Sequence, residues 1–198
     1  MRMASEKEAF IAEVAQYAQK YMRITKVPAS LTIAQAILES NWGKSGLARQ
    51  NKNLFGIKGK GESYQTKEFI GGKWMTVTAN FRTYDSFEGS VRDHNELLKR
   101  LKRYKSVLGE RDYKQASHAV WKAGYATDPD YPKKLMAIIE AFELWKYDDW
   151  GDALSRADAD TIIRILQDKW AKATDADERK ECNRLANVLR KLSGQPIQ

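Results

Sequence analysis

Residues 31–43 read LTIAQAILESNWG. Leu31, Ala34, Ile37 and Leu38 recur at the three- and four-residue spacing of one helix face, and Pro28 stands where a helix opens because its missing N–H costs nothing in a first turn. Gly43 supplies the stop. The only acid of the stretch, Glu39, falls in the last turn, beside the apolar stripe and three residues before Trp42. Two effects push the pKa of such a carboxyl upward. Partial burial disfavours the charged form, and so does the partial negative charge of a helix C-terminus. A carboxylic acid still protonated near neutral pH is what a glycosidase uses to protonate a departing sugar oxygen. Against this stands the ordinary reading of a glutamate near a helix end as a solvated surface charge.

Outward from this helix, Ser5-Glu6-Lys7-Glu8 forms a capping box, followed by Phe10, Val14, Tyr17 and Tyr21, so a helix is predicted over about 6–22. Residues 43–61, with five glycines, read as a loop. In YQTKEFIGGKWMTVTANFRTY, Gly71-Gly72 suits a two-residue hairpin turn. That turn sets Phe69 opposite Trp74, Glu68 opposite Met75 and Thr66 opposite Val77. Further helices are predicted after Ser86, after Asp112 (closed by Gly124) and from Pro132 through Trp145. A polar stretch around YDDWGDALSRADAD marks a linker, and two amphipathic helices follow, one with Ile162, Ile163, Leu166 and Trp170, the other with Leu185, Val188, Leu189 and Leu192.

The chain has 198 residues, 42% apolar and 11% aromatic, which suits a globular domain plus a small appendage. Its net charge is +8, with nine Lys/Arg against eight Asp/Glu in residues 151–198, so the excess lies in the first 150 residues. A basic front suits a polyanion: nucleic acid, an anionic membrane or an anionic cell wall. The positive residues are interleaved with acids and carry no nucleic-acid motif, so no nucleic-acid partner is expected. No apolar run reaches the roughly 20 residues that span a bilayer, so stable membrane insertion is not expected. The N-terminus shows no secretory apolar core. Cys182 is the single cysteine and His94 and His118 the only histidines, which speaks against a disulfide or a zinc site. No metal or cofactor is expected.

Five stretches in series, LTIAQAILESNWGKS, NLFGIKG, TKEFIGGKW, FRTYDSFEGSVRDH and GYATDPDYPKKL, resemble the bacterial glucosaminidase family. That family includes flagellar-type peptidoglycan hydrolases and the glucosaminidase domains of staphylococcal and listerial autolysins. The resemblance covers roughly residues 5–147. It implies an α+β, mainly α fold, with a lysozyme-like α-lobe, a small β-hairpin lobe and a groove between them, and with a C-terminal helical hairpin appended. The expected domains are 1–149, catalytic, and 150–198, a helical hairpin for wall binding or self-association, or merely a packing appendage. The implied activity is hydrolysis of the β-1,4 bond between N-acetylglucosamine and N-acetylmuramic acid in peptidoglycan. A muramidase or lytic transglycosylase on the same fold, and a non-catalytic wall-binding module, are the alternatives.

Residue by residue, the resemblance makes Glu39 the general acid and Glu68 the candidate second carboxylate. Glu62 and the substrate's own acetamide oxygen are alternatives for that second role. Tyr125 corresponds to a tyrosine of the catalytic groove. Trp42, Asn53, Phe55, Asp128 and Tyr131 are candidate substrate-binding residues, each also readable as a packing or loop residue; for Phe55 the core is the more natural place. The tail DADTIIRILQDKW…ECNRLANVLRKLSGQ resembles C-terminal segments of lysins from phages of Gram-positive bacteria. That likeness suggests a wall-targeting or self-association hairpin, and a compact, disulfide-free lytic domain without a secretory core fits a phage endolysin held in the host cytoplasm until a holin opens the membrane, with the wall as its target.

Overall fold

A computed structural model describes residues 5–70, 73–150, 156–192 and 196, and the side chains of all of these except 66–70, 74, 156–158 and 192. It divides into two compact units, Met1–Trp150 and Gly151–Gln198.

The first unit is built on a buried helix. Helix α1, Glu6–Thr25, starts at the Ser5 capping box, where the Glu8 backbone N–H donates to Ser5 Oγ and the Ser5 N–H donates to Glu8 Oε2 at 2.7 Å. It runs three residues past the predicted end because Lys26 adopts the left-handed conformation that closes it. Helix α2, Ala29–Ser40, is buried along almost its whole length, including Leu31, Ile33, Ala34, Ala36 and Ile37. Each such Leu or Ile contributes about 1.5–3 kcal/mol by leaving water. Pro28 is the N-cap of this helix rather than its first residue. With no capping side chain of its own, α2 receives one from far along the chain: the Ser30 N–H donates to Asp148 Oδ1 at 2.8 Å.

The helix stops at three consecutive left-handed residues, Asn41, Trp42 and Gly43 (φ 48°, 62° and 71°). Ser40 Oγ clamps this turn, donating to the Ala36 carbonyl at 2.5 Å and accepting from the Gly43 N–H at 2.7 Å. A Cβ on Gly43 would lie 2.8 Å from the Phe10 ring. Positive φ and close approach together require glycine there.

Residues 43–61 are not all loop. Ser45 caps a short helix, α3, Gly46–Asn51. The antiparallel strands β1, Gly61–Ile70, and β2, Lys73–Arg82, pair in the predicted register, with Glu68 opposite Met75, Phe69 opposite Trp74 and Thr66 opposite Val77. The turn at Gly71-Gly72 lies outside the described residues. Helices α4, Phe87–Arg100, α5, Tyr113–Lys122, and α6, Tyr131–Ala141, follow. Ser86 and Asp112 cap the first two of these, as expected. The helix predicted from Pro132 to Trp145 begins one residue earlier and ends at Ala141; Trp145 lies in a separate 3-10 turn, Leu144–Tyr147. A second 3-10 segment, Lys102–Val107, joins α4 to α5 and had no sequence signal.

The second unit is an antiparallel pair, α7, Arg156–Lys172, and α8, Ala176–Leu192. Ala159 and Ile163 pack on Ala186, flanked by Leu166 and Leu189. Lys169 and Glu178 pair across it at 3.2 Å.

Candidate active site

Gln35 and Glu39 are four residues apart on α2 and therefore share a face. Tyr131, the first residue of α6, reaches that face and is 4% exposed. Its hydroxyl donates to Glu39 Oε1 at 2.7 Å and accepts from Gln35 Nε2 at 3.1 Å. Glu39 is an exposed residue by surface area, yet enough protein surrounds its carboxyl to desolvate it. Burial pushes its pKa up, and the Tyr131 hydrogen bond pulls against that by favouring the ionised form. Among the described residues no cation pairs with Glu39. With Oε1 accepting from Tyr131, the carboxylic proton belongs on Oε2, the oxygen left for a substrate.

Tyr125 stands beside this pair. Gly124, at φ 78°, closes α5, and the Tyr125 N–H returns to the Val120 carbonyl at 3.2 Å. The Tyr125 ring stacks on Tyr131 (5.9 Å, 24°) and meets His94 edge-on (5.8 Å, 71°). Burial, and next the nearby negative charge of Glu39, hold its hydroxyl protonated far above neutral pH. It is therefore a hydrogen-bond donor, not a nucleophile.

Behind the tyrosines lies His94, fully buried and stacked on Phe55 at 3.9 Å. Its Nδ1 is 2.9 Å from Asn95 Oδ1, and burial depresses its pKa to about 4, so the ring is neutral. The aromatic column Phe55–His94–Tyr125–Tyr131 thus runs from the core to the carboxyl. His94 and Gln35 were missed from sequence. Gln35 was readable, one turn before Glu39. His94 was not, because its ring partners Phe55 and Tyr125 lie 39 and 31 residues away along the chain and only the fold assembles them.

Three candidate ligands of the substrate serve the scaffold instead, Phe55 in the core where its sequence reading already favoured it. Asn53 is 1% exposed, and its amide is wholly committed to backbone. Its Nδ2 donates to the Ile57 and Arg82 carbonyls at 3.0 and 2.9 Å, and its Oδ1 accepts from the Phe55 and Ile57 N–H groups at 3.3 and 3.1 Å. Asn53 therefore ties the NLFG loop to the end of β2. Phe55, 5% exposed beneath His94, is core rather than a sugar platform. Tyr131 holds the acid rather than lining the open groove. Asp128 shapes the loop before α6, accepting from the Asp130 N–H at 2.9 Å and from Lys134 Nζ at 2.5 Å. Trp42 is half-buried, edge-on to Phe142 at 5.0 Å and Phe10 at 6.1 Å, with Lys7 Nζ over its ring.

On the β-lobe, Glu62 Oε2 accepts from the Tyr64 hydroxyl at 2.8 Å. Tyr64 also contacts Asn51 and Gln50, and Asn51 Nδ2 donates to Thr83 Oγ1 at 2.8 Å. The Tyr64 and Asn51 hydrogen bonds hold the exposed Glu62 carboxyl below its usual range, so it is ionised. The Glu68 backbone stands in β1, and its side chain lies outside the described residues.

The family model described as mannosyl-glycoprotein endo-beta-N-acetylglucosaminidase (glucosaminidase) matches residues 15–144. The chain belongs to the glucosaminidase family. Among curated relatives, it is 40% identical over 183 residues to exo-glucosaminidase LytG of Bacillus subtilis, covering 87% of this chain and 65% of that protein. It is 36% identical over 148 residues to peptidoglycan hydrolase FlgJ of Escherichia coli, covering 70% of this chain and 47% of the relative. The chain thus spans less than two thirds of either relative. Among solved structures, the catalytic domain of the autolysin Auto from Listeria monocytogenes matches at TM-score 0.66 and 34% identity, over 75% of this chain and 90% of that one. The glycoside hydrolase domain of FlgJ from Salmonella typhimurium, C-terminally truncated, matches at 0.58 and 35%, over 69% and 97%. This glucosaminidase-family unit therefore has the mainly helical, lysozyme-like architecture with a β-hairpin lobe.

Proposed function

We propose that the chain is a peptidoglycan hydrolase cleaving the β-1,4 bond after N-acetylglucosamine, with Glu39 as general acid. The observation that carries this reading is the Glu39 carboxyl at the end of a buried helix, its pKa raised by burial and its Oε1 held by Tyr131. The family and the peptidoglycan hydrolases among its relatives support the substrate class. In the reaction, Glu39 Oε2–H gives its proton to the glycosidic oxygen as the bond to the anomeric carbon breaks. Water completes the anomeric carbon, and its proton passes to a second group. Glu68 is the proposed base or nucleophile, with the ionised Glu62 or the substrate's acetamide oxygen as alternatives. Tyr125, a permanent donor beside Glu39, hydrogen-bonds the attacking water or that acetamide.

An endo mode is proposed. The 40% identity to an exo-glucosaminidase favours a second reading in which disaccharides leave from chain ends. The test is digestion of purified peptidoglycan, borohydride reduction and mass spectrometry of the new ends. Reduced N-acetylglucosamine on long fragments is the expected result; disaccharides alone indicate exo cleavage. Reduced or anhydro N-acetylmuramic ends would replace the bond assignment with muramidase or transglycosylase activity. Glu39→Gln is expected to lower turnover at least a thousandfold while sparing wall binding. Wild-type lysis by that variant would remove Glu39 from the mechanism.

The setting of a phage endolysin, waiting in the host cytoplasm for a holin, rests on the likeness of the tail to phage lysins. Mass spectrometry showing the native protein cut from an exported precursor would overturn it.

A further inference from the structure

Helices α7 and α8 meet along Ala159, Ile163 and Leu166 on one side and Cys182, Ala186 and Leu189 on the other. Each helix then has two flanks. On one flank stand Ile162 and Ile165 of α7 and Leu185 and Val188 of α8, all exposed aliphatics (37%, 61%, 36% and 41%). The other flank differs in chemistry. There a groove of about 720 Å³ is walled by Trp170, Gln167, Asn183, Asn187 and Arg190, over a floor that includes Ala171 and Ala186. This volume falls within the about 300–1,000 Å³ typical of small-ligand sites.

The side chains of this groove are a matched set. Trp170 keeps 41% exposure although the Arg179 guanidinium sits over its ring at 5.3 Å, and Arg179 is itself fixed by donating to the Ala173 carbonyl at 3.0 Å. The indole is therefore held in place while it still lines the groove. The exposed carboxamides of Gln167 and Asn183 make no hydrogen bond within the protein among the described residues. Each offers one acceptor and two donors in a plane. At the end of the row, Arg190 Nη1 donates to Asn187 Oδ1 at 2.9 Å, which orders the last amide. An aliphatic flank suits burial against protein. An aromatic plate beside a line of carboxamides suits a ligand with an apolar C–H face and a rim of hydroxyl and acetamido groups.

We propose that this groove is a second saccharide site, binding N-acetylated β-1,4-linked amino-sugar chains apart from the catalytic groove. The ring C–H face packs on Trp170, and the carboxamides of Gln167 and Asn183 pair with acetamido and hydroxyl groups. The choice of this sugar class rests on the proposed peptidoglycan substrate. The site would keep the enzyme on the wall between cleavages.

The test uses the full chain as Glu39→Gln, so that binding is read without turnover. Titration with a soluble tetrasaccharide of β-1,4-linked N-acetylglucosamine is followed by 15N NMR at the Trp170 indole N–H and the Gln167 and Asn183 side-chain amides. Saturable shifts at all three are expected. Adding Trp170→Ala and Asn183→Ala, both at exposed positions, should abolish the remaining Gln167 shift and lower retention on insoluble peptidoglycan at least fivefold, with helix content unchanged. Unshifted signals, or equal retention by the variant, would overturn the site. So would a concentration-dependent dimer that Trp170→Ala dissolves while no saccharide shift occurs, since a second copy would then fill the groove. Saccharide shifts in a protein whose wild type cuts no glycan would leave this site standing and remove the glycosidase reading. Cutting without shifts would do the reverse.

Discussion

Glu39 shows how one residue is tuned by opposing effects. Burial raises its pKa, and the Tyr131 hydroxyl lowers it by hydrogen-bonding the ionised form. Removing that hydroxyl leaves burial unopposed. Tyr131→Phe is therefore expected to raise the Glu39 pKa. A general acid must be protonated, so the alkaline limb of the kcat/KM profile moves to higher pH, while loss of positioning lowers kcat about ten- to a hundredfold. A merely structural tyrosine would lower activity without moving that limb. The same carboxyl burdens the fold. Its folded pKa lies above the unfolded value, so its contribution favours folding at acid pH and is lost as pH rises through the folded pKa. Glu39→Gln should then raise the midpoint of urea unfolding at neutral pH, an effect kept small by the solvent that reaches this side chain. An unchanged midpoint would mean that the carboxyl is not strained in the folded state.

At the scale of elements, α2 carries the site and is anchored at both ends. Its C-terminal end is fixed locally by the Ser40 clamp and the left-handed run to Gly43. The N-terminal end is fixed by Asp148, which accepts from the Ser30 N–H although burial raises its pKa. Asp148→Ala should cost about 1 kcal/mol, the usual worth of a helix cap, with a matching loss in thermal unfolding. Asp148→Asn, which keeps an acceptor, should recover most of it; equal losses for both would assign the effect to packing instead. The elements also show what was readable. The capping box, the α2 stripe and the hairpin register needed only local pattern. Helix α3 was missed because six residues with two glycine-rich flanks give no periodicity to count. Asn53 was misread because nothing local shows that the carbonyls of Ile57 and Arg82 close around its amide.

For the first unit as a whole, the buried polar groups set its response to pH. His94 is neutral in the core with a pKa of about 4, against about 6.5 when unfolded. The stability this gives is full above the unfolded pKa. It is lost as pH falls through the window from about 6.5 to about 4, at up to about 1.4 kcal/mol per pH unit. Urea midpoints should drop across that window, and the His94 C2–H NMR signal should stay untitrated down to pH 5. A signal titrating near 6.5 would show that the ring is accessible and would cancel the predicted loss.

The sequence by itself determined the helices with an apolar stripe, the hairpin and its register, the position of Glu39 at a helix end and, through five motifs in order, the family. These are short-range properties: periodicity, caps and turn chemistry act within a few residues of chain. Only the tertiary structure decided which tyrosine holds the acid, that Asn53 and Phe55 serve the scaffold, that His94 is neutral and that Asp148 caps α2. Those outcomes depend on burial and on hydrogen bonds between residues tens of positions apart. No local pattern encodes them, because the dielectric and the partners around each group exist only once the chain has folded.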